Sequence, residues 1–200
     1  QNLRELNDRV KGVHPGCIYF HFWGGMLRST FDDPEYQNDF AAWAWHCLHD
    51  RSLAERLAII DPSRHQDIEE LRSNLSDVLD ERLAETEYIP WAQSGQRFKF
   101  IRSQIVVFDT GIRISHPKEM EERIAKMSLG SIFYHFIDAR RRTGQGRSDF
   151  VEWFQGFEKG ICDELIRRIN RIDPYFTTLT DLRDELEKVF RACPFEEYPS

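Results

Sequence analysis

Cysteine is scarce in this chain. Its 200 residues hold four, at 17, 47, 162 and 193, far apart and without a C-x-x-C pair. So sparse a set argues against a disulfide framework and points to free thiols that behave as small buried hydrophobes in a reducing cytosol. Basic charge is also short: 27 Lys and Arg against 34 Asp and Glu leave the chain at −7. That balance argues against non-specific duplex binding, which needs a surplus of phosphate-neutralising side chains. No apolar run approaches the roughly 20 residues of a membrane helix. Residues 18–23 come nearest, and His21 and the following glycines interrupt them. Phosphate loops of the G-K-[ST] and G-x-G-x-x-G types are absent, as are H-E-x-x-H and G-x-S-x-G. Each of those motifs fixes a distinct chemistry by backbone or ligand geometry, so no cofactor, no resident metal and no nucleophile elbow is expected. A cytoplasmic protein free of membrane and nucleic acid follows.

What is present is present twice. Ile18-Tyr-Phe-His-Phe22 recurs as Ile132-Phe-Tyr-His-Phe136, and Asp39-Phe40-x-x-Trp43 as Asp149-Phe150-x-x-Trp153. Leu53-x-x-Arg56 with Ile60-Asp61-Pro62 recurs as Leu165-x-x-Arg168 with Ile172-Asp173-Pro174. Leu71-Arg72-x-x-Leu75-x-x-Val78 recurs as Leu182-Arg183-x-x-Leu186-x-x-Val189. The offsets are 114, 110, 112 and 111 in chain order, so small length changes fall between blocks, where loops absorb them. A period this long does not suit a solenoid repeat and reads instead as two homologous halves.

Each half reads as a string of helices. Leu3, Leu6, Val10 and Val13 keep helical spacing, as do Met120, Ile124 and Met127. The Ile-aromatic-aromatic-His-Phe run that follows is apolar all round and reads as the central helix of its half. Asn38 and Ser148 then stand as N-caps, with Asp39 and Asp149 in the first turn, where a carboxylate meets the positive helix end. Phe40, Trp43 and Ala44 form the buried stripe there, echoed by Phe150, Trp153 and Phe154. The last helix of each half opens on an approximate capping box, Asp67-x-x-Glu70 or Thr178-x-x-Asp181.

Between the halves the texture changes. Residues 96–114 alternate apolar with polar and concentrate β-branched side chains, which predicts two or three short strands with Asp109-Thr110-Gly111 as a turn. The expected architecture is mainly α: two homologous, pseudo-twofold helical repeats at 1–85 and 115–200, with a small β element at 86–114 between them. Almost nothing precedes Leu3, so the repeat also predicts an equivalent element upstream of Gln1.

The strongest candidates for chemistry are His21 and His135, one per half in the most apolar segment. Asp39 and Asp149 are placed to set their tautomer and pKa. A pseudo-twofold packing would turn both imidazoles into one cleft; the bland alternative is a buried histidine repeated because the architecture repeats. His46 and His49, at i and i+3 beside Cys47 and Asp50, would need a third ligand to hold a metal, and the second half lacks the pair. Arg140, Arg141 and Arg142 before Thr143-Gly-Gln-Gly146 suggest anion binding, or simply basic residues at a negative helix end. Trp45 and Trp91 fall off the predicted core stripes and are the better candidates for a surface stacking platform.

The doubled His-Phe, Asp-Phe-x-x-Trp and Ile-Asp-Pro blocks, with Thr110-Gly111 before the second half, resemble a family of duplicated bacterial and archaeal proteins of unknown function. The resemblance spans nearly the whole chain. It implies genes lying near those for trehalose, glycogen or other glucan-handling enzymes, and supplies no activity, catalytic residue or cofactor. The expected function is therefore a non-enzymatic binding or regulatory partner, with a protein partner or homo-oligomer implied and carbohydrate metabolism as its setting. The alternative is a small enzyme or ligand sensor using His21, His135 and the adjacent aspartates in an inter-repeat cleft.

Overall fold

A computed structural model of the chain describes residues 2–27, 35–89, 91–93, 95–142, 146–157 and 162–192. These form two compact units, divided between Val106 and Val107. The division falls inside the segment expected as a connector, and gives residues 86–106, most of it, to unit 1.

Unit 1 holds α1 (Leu3–Gly12), α2 (Pro15–Trp23), α3 (Asp39–His46), α4 (Arg51–Ala58) and α5 (Ile68–Glu85). Polar caps start these helices by satisfying amide donors that have no intrahelical acceptor. Asn2 accepts from Glu5 N–H, Asn38 from Ala41, Asp50 from Leu53, and Asp67 from both Glu69 and Glu70. The expected box at Asp67 is not reciprocal, because Glu70 takes the amide of Gln66 instead. The helix α5 packs on α1, α2 and α4, and α3 packs on α4. Leu6, Ile18, Phe22, Phe40, Leu53, Leu57 and Leu75 fill the space between them, each fully buried.

Unit 2 holds α6 (Pro117–Ile124), α7 (Leu129–Ile132), α8 (Ala139–Arg142), α9 (Asp149–Gln155), α10 (Asp163–Arg171) and α11 (Leu179–Arg191). Between α7 and α8 the backbone runs on as a π-helical stretch, Phe133–Asp138. Ser148 caps α9 through Val151 N–H, and Thr178 caps α11 through Asp181 N–H. The helix α11 packs on α6, α7 and α10. Phe136, Phe150, Phe154 and Phe190 form its buried aromatic group.

The strands expected at 96–114 do not form: among the described residues there is no strand, and the one β-bridge joins Asn2 to Trp91. Alternation sorts side chains onto two faces of an extended backbone, but a strand also needs a neighbour to pair with. Here the stretch instead packs Phe98 and Phe100 against His21 and Phe40. The turn within it is present. Gly111 takes φ +71, and the Asp109 carboxylate accepts Gly111 N–H and both Arg113 Nη groups. That pairing pulls Asp109 well below the usual carboxylate range. No described helix is long and apolar enough to cross a membrane.

Asp50 is the most consequential polar group in unit 1, because it caps α4 and accepts Arg82 Nε from α5 at 2.8 Å while almost wholly buried. Asp50→Ala removes the cap and leaves Arg82 with Glu85 alone as its carboxylate among the described residues. A loss of about 2–4 kcal/mol in unfolding free energy is expected, read as a lower urea midpoint. Arg51→Ala, which breaks only an exposed i,i+4 pair with Glu55, is expected to cost under about 0.5 kcal/mol.

Candidate functional site

The histidines of the two recurring sequence blocks each meet the aspartate of their own unit. In unit 1, Asn38 anchors the start of α3 by capping it and by donating from its amide to the Leu57 carbonyl at 2.9 Å. This fixes Asp39 in the first turn, where its Oδ2 lies 2.7 Å from Nδ1 of His21 on α2. The other ring nitrogen, Nε2, accepts Ile101 N–H at 3.0 Å. A nitrogen that accepts carries no proton, so the imidazole is the Nδ1–H tautomer and donates that proton to Asp39. Around the ring stand Phe98 at 4.7 Å, Phe20 at 5.2 Å, Phe40 at 5.5 Å and Phe100 at 5.9 Å between centroids. Phe98 also stacks on Phe40 at 4.9 Å with the planes 10° apart, and Trp43 Nε1–H donates to the Gln96 carbonyl at 2.8 Å. The segment 96–101 is thus fastened over the dyad at both ends. His21 is left 3% exposed.

In unit 2 the same pair forms with a different surrounding. His135 Nδ1 lies 2.7 Å from Asp149 Oδ2, and Arg142 Nη2 donates to that same oxygen at 2.9 Å. Arg142 also donates to the Tyr134 carbonyl and to Asp138, and its guanidinium lies 3.9 Å from the Tyr134 ring centroid. Burial raises the pKa of the Asp149 carboxyl, but the hydrogen bonds from His135 and Arg142 outweigh it and hold the group below its ordinary value. Among the described residues none covers the imidazole as segment 96–101 covers His21: the side chain is 40% exposed, and no described residue bonds its Nε2.

Arg140 and Arg141, expected as anion ligands, are turned toward acceptors of their own helix. Arg141 donates to Asp138, itself 1% exposed, and Arg140 donates to the Phe136 carbonyl with its guanidinium 5.0 Å from the Phe136 centroid. Thr143, Gly144 and Gln145 of the glycine loop lie outside the described residues, as do Arg28 and Cys193. At His46 and His49 no metal set assembles: among the described residues no three His, Cys, Asp or Glu side chains gather. Asp50, their expected neighbour, is committed to α4 and Arg82. Burial raises the Cys47 thiol. Trp91 is exposed, whereas Trp45 packs against Tyr36.

Three features of the site escaped the sequence reading: the bracing of Asp149 by Arg142, the Asp138 clamp, and the cover of His21 by residues 98–101. Arg142 stands seven residues, two helical turns, after His135, a spacing that puts both on one face. Asp138 precedes Arg141 and Arg142 by three and four residues, the spacing of helical ion pairs. Phe98, Phe100 and Ile101 gave a strand-like signal, and nothing local tells an extended segment which unit it will cover.

Residues 1–191 match the family described as "Family of unknown function (DUF5752)", and the chain belongs to it. Among solved structures the chain is similar to one titled "The structure of OrfY from Thermoproteus tenax". The two are 28% identical, the match covers 97% of this chain and 87% of that one, and the TM-score is 0.80. No curated protein matches.

The contrast between the two imidazoles has a direct chemical reading. Diethyl pyrocarbonate is expected to modify His135 much faster than His21, with sites assigned by peptide mass. Phe98→Ala should bring His21 toward the rate of His135 and cost about 3–5 kcal/mol of stability. Equal rates in the unaltered chain would contradict this geometry. Acid stability supplies a second check. A carboxyl depressed in the fold stabilises fully above its unfolded value, and that contribution fades as pH falls through the folded value. Asp149→Asn should therefore shrink the stability difference between pH 7 and pH 3, measured by denaturant titration.

Proposed function

We propose that this chain is a doubled binding or regulatory protein, not an enzyme, in which each His–Asp pair is a post that holds an extended segment. The bond from Ile101 N–H to His21 Nε2 carries this reading. It engages the nitrogen that a general base would need, and seals it beneath phenylalanines. The doubling is supported by the recurrence of the blocks and by the same 2.7 Å His–Asp contact in both units. It is supported too by the parallel packing of α5 and α11 on three helices each. On this reading unit 1 binds its own chain, and unit 2 presents the same post to a partner.

The rival reading is a small enzyme or sensor that uses His135 as a base oriented by Asp149. It draws on the open Nε2 of that ring. A base needs a second group to complete its chemistry, however, and among the described residues the side chain that hydrogen-bonds the imidazole is Asp149, whose same oxygen is taken by Arg142.

Affinity purification of the full chain from its source cells separates the two. The binding reading expects a defined protein, first sought among carbohydrate-handling enzymes, that is retained by the unaltered chain and lost with His135→Ala. His135 is half-exposed, so the variant should fold normally. Recovery of no specific protein, together with a sugar-phosphate turnover abolished by His135→Ala, would overturn it.

A further inference from the structure

Segment 96–101 is held to unit 1 at its two ends by different chemistry. At the start, Trp43 Nε1–H donates to the Gln96 carbonyl and Phe98 stacks on Phe40, contacts made by groups that do not titrate. At the end, Ile101 N–H donates to His21 Nε2, and that bond requires a nitrogen without a proton. Imidazole is the side chain that changes charge between roughly pH 5 and 8. A proton on Nε2 would turn the acceptor into a donor and set two N–H groups against each other across 3.0 Å. The ring is 3% exposed, so it has almost no solvent to turn to while the segment lies in place. The seated segment and a doubly protonated ring exclude each other.

The chain on either side gives that end room to move. Gly95, just ahead of the segment, takes φ +96, and a Cβ there would meet nothing within 4 Å. Residues 101–104 are exposed, Ile101 at 46%. Among the described residues, the bond to His21 is the one hydrogen bond made by any of residues 97–104. The charges around the ring are few. From α3, Asp39 meets Nδ1 at 2.7 Å and is 32% exposed. The segment and its next residue bring Arg97, Lys99 and Arg102, all exposed. Neither α2 nor the turn after it, residues 24–27, holds a carboxylate, lysine or arginine, and the His14 cap of α2 is engaged with Gly16 N–H. On α5, which also packs on α2, Arg72, Asp80, Arg82 and Glu85 bond other partners and not the ring. The counter-charge that a positive imidazole finds is therefore Asp39.

We infer that His21 is a proton-operated latch: acid releases the Phe100–Ile101 end of the segment and uncovers the His21–Asp39 pair, while the Gln96–Phe98 end stays fastened. The direction follows from proton counting. The open state holds one proton more than the closed one, so falling pH favours opening, by up to about tenfold in the equilibrium per pH unit. Asp39 adds to this, because its carboxylate is the ion-pair partner of the imidazolium that opening permits. The latch uses the contacts of unit 1 alone, and holds whether or not unit 2 takes a partner.

The test follows hydrogen exchange in the full chain by NMR from about pH 8 to about pH 5, each rate being corrected for that of an open amide at the same pH to give protection. Protection of Ile101 N–H is expected to fall by up to about tenfold per pH unit, while Trp43 Nε1–H and the amides of buried Leu57 and Leu75 keep theirs. His21→Gln offers an acceptor that cannot be charged, and should hold Ile101 protection level over the same range. Should that variant fail to fold, Asp39→Asn serves instead: removing the counter-charge should move the loss of protection to lower pH. Constant Ile101 protection in the unaltered chain overturns the latch. So does a loss that Leu57 and Leu75 share, which is unfolding of the unit, or one that Trp43 shares, which frees the whole segment. A pH profile unchanged by His21→Gln or by Asp39→Asn overturns it as well.

Discussion

An imidazole whose Nδ1 proton is held by an aspartate has one nitrogen left, and what meets that nitrogen sets the character of each unit. In unit 1 it is a main-chain amide, so the ring becomes a structural fastener, a neutral hydrogen-bond bridge between α3 and the chain that follows α5. In unit 2 no described residue bonds that nitrogen, and the aspartate behind the ring is braced by a guanidinium. Identical residues at matched positions thus yield two different surfaces. The difference lies in what the rest of the chain lays over them.

The dyads depend on helix starts. Asp39 and Asp149 are each the first residue of a helix whose N-cap, Asn38 or Ser148, is buried and hydrogen-bonded. A cap of this kind fixes the backbone of the turn that carries the carboxylate, so the 2.7 Å contact follows from local geometry once the histidine helix packs alongside. The buried Asp138 has a comparable part in unit 2. It gathers Arg141 and Arg142, and holding Arg142 steady is what keeps a guanidinium on Asp149. The matching position in the first half is Gly24, which leaves no carboxylate for such a clamp.

Much of this was legible in the sequence because it is written in local chemistry. Caps, apolar spacing and the recurring sequence blocks identify the helices, and each histidine has an aspartate of the next block as its expected partner. Three features were not legible, for physical reasons. A run that is apolar all round has no moment to distinguish an α from a π period, so Phe133–Asp138 read as ordinary helix. Alternation at 96–101 reads as an extended backbone, while whether it pairs or docks is decided by tertiary partners 53 and 80 residues away. The ion-pair clamp at Asp138 hides in a run of three arginines whose charge suggests a solvent-borne anion. Its real counter-ion is three and four residues upstream on the same helix.

The central claim is that His21 holds chain backbone through the ring nitrogen that Asp39 leaves open. The most direct measurement is the scalar coupling across the hydrogen bond between the Ile101 amide nitrogen and His21 Nε2, with the imidazole tautomer assigned in the same sample. A resolved coupling with the proton on Nδ1 is the result expected from the 3.0 Å contact. A proton on Nε2, with no coupling to Ile101, would contradict it.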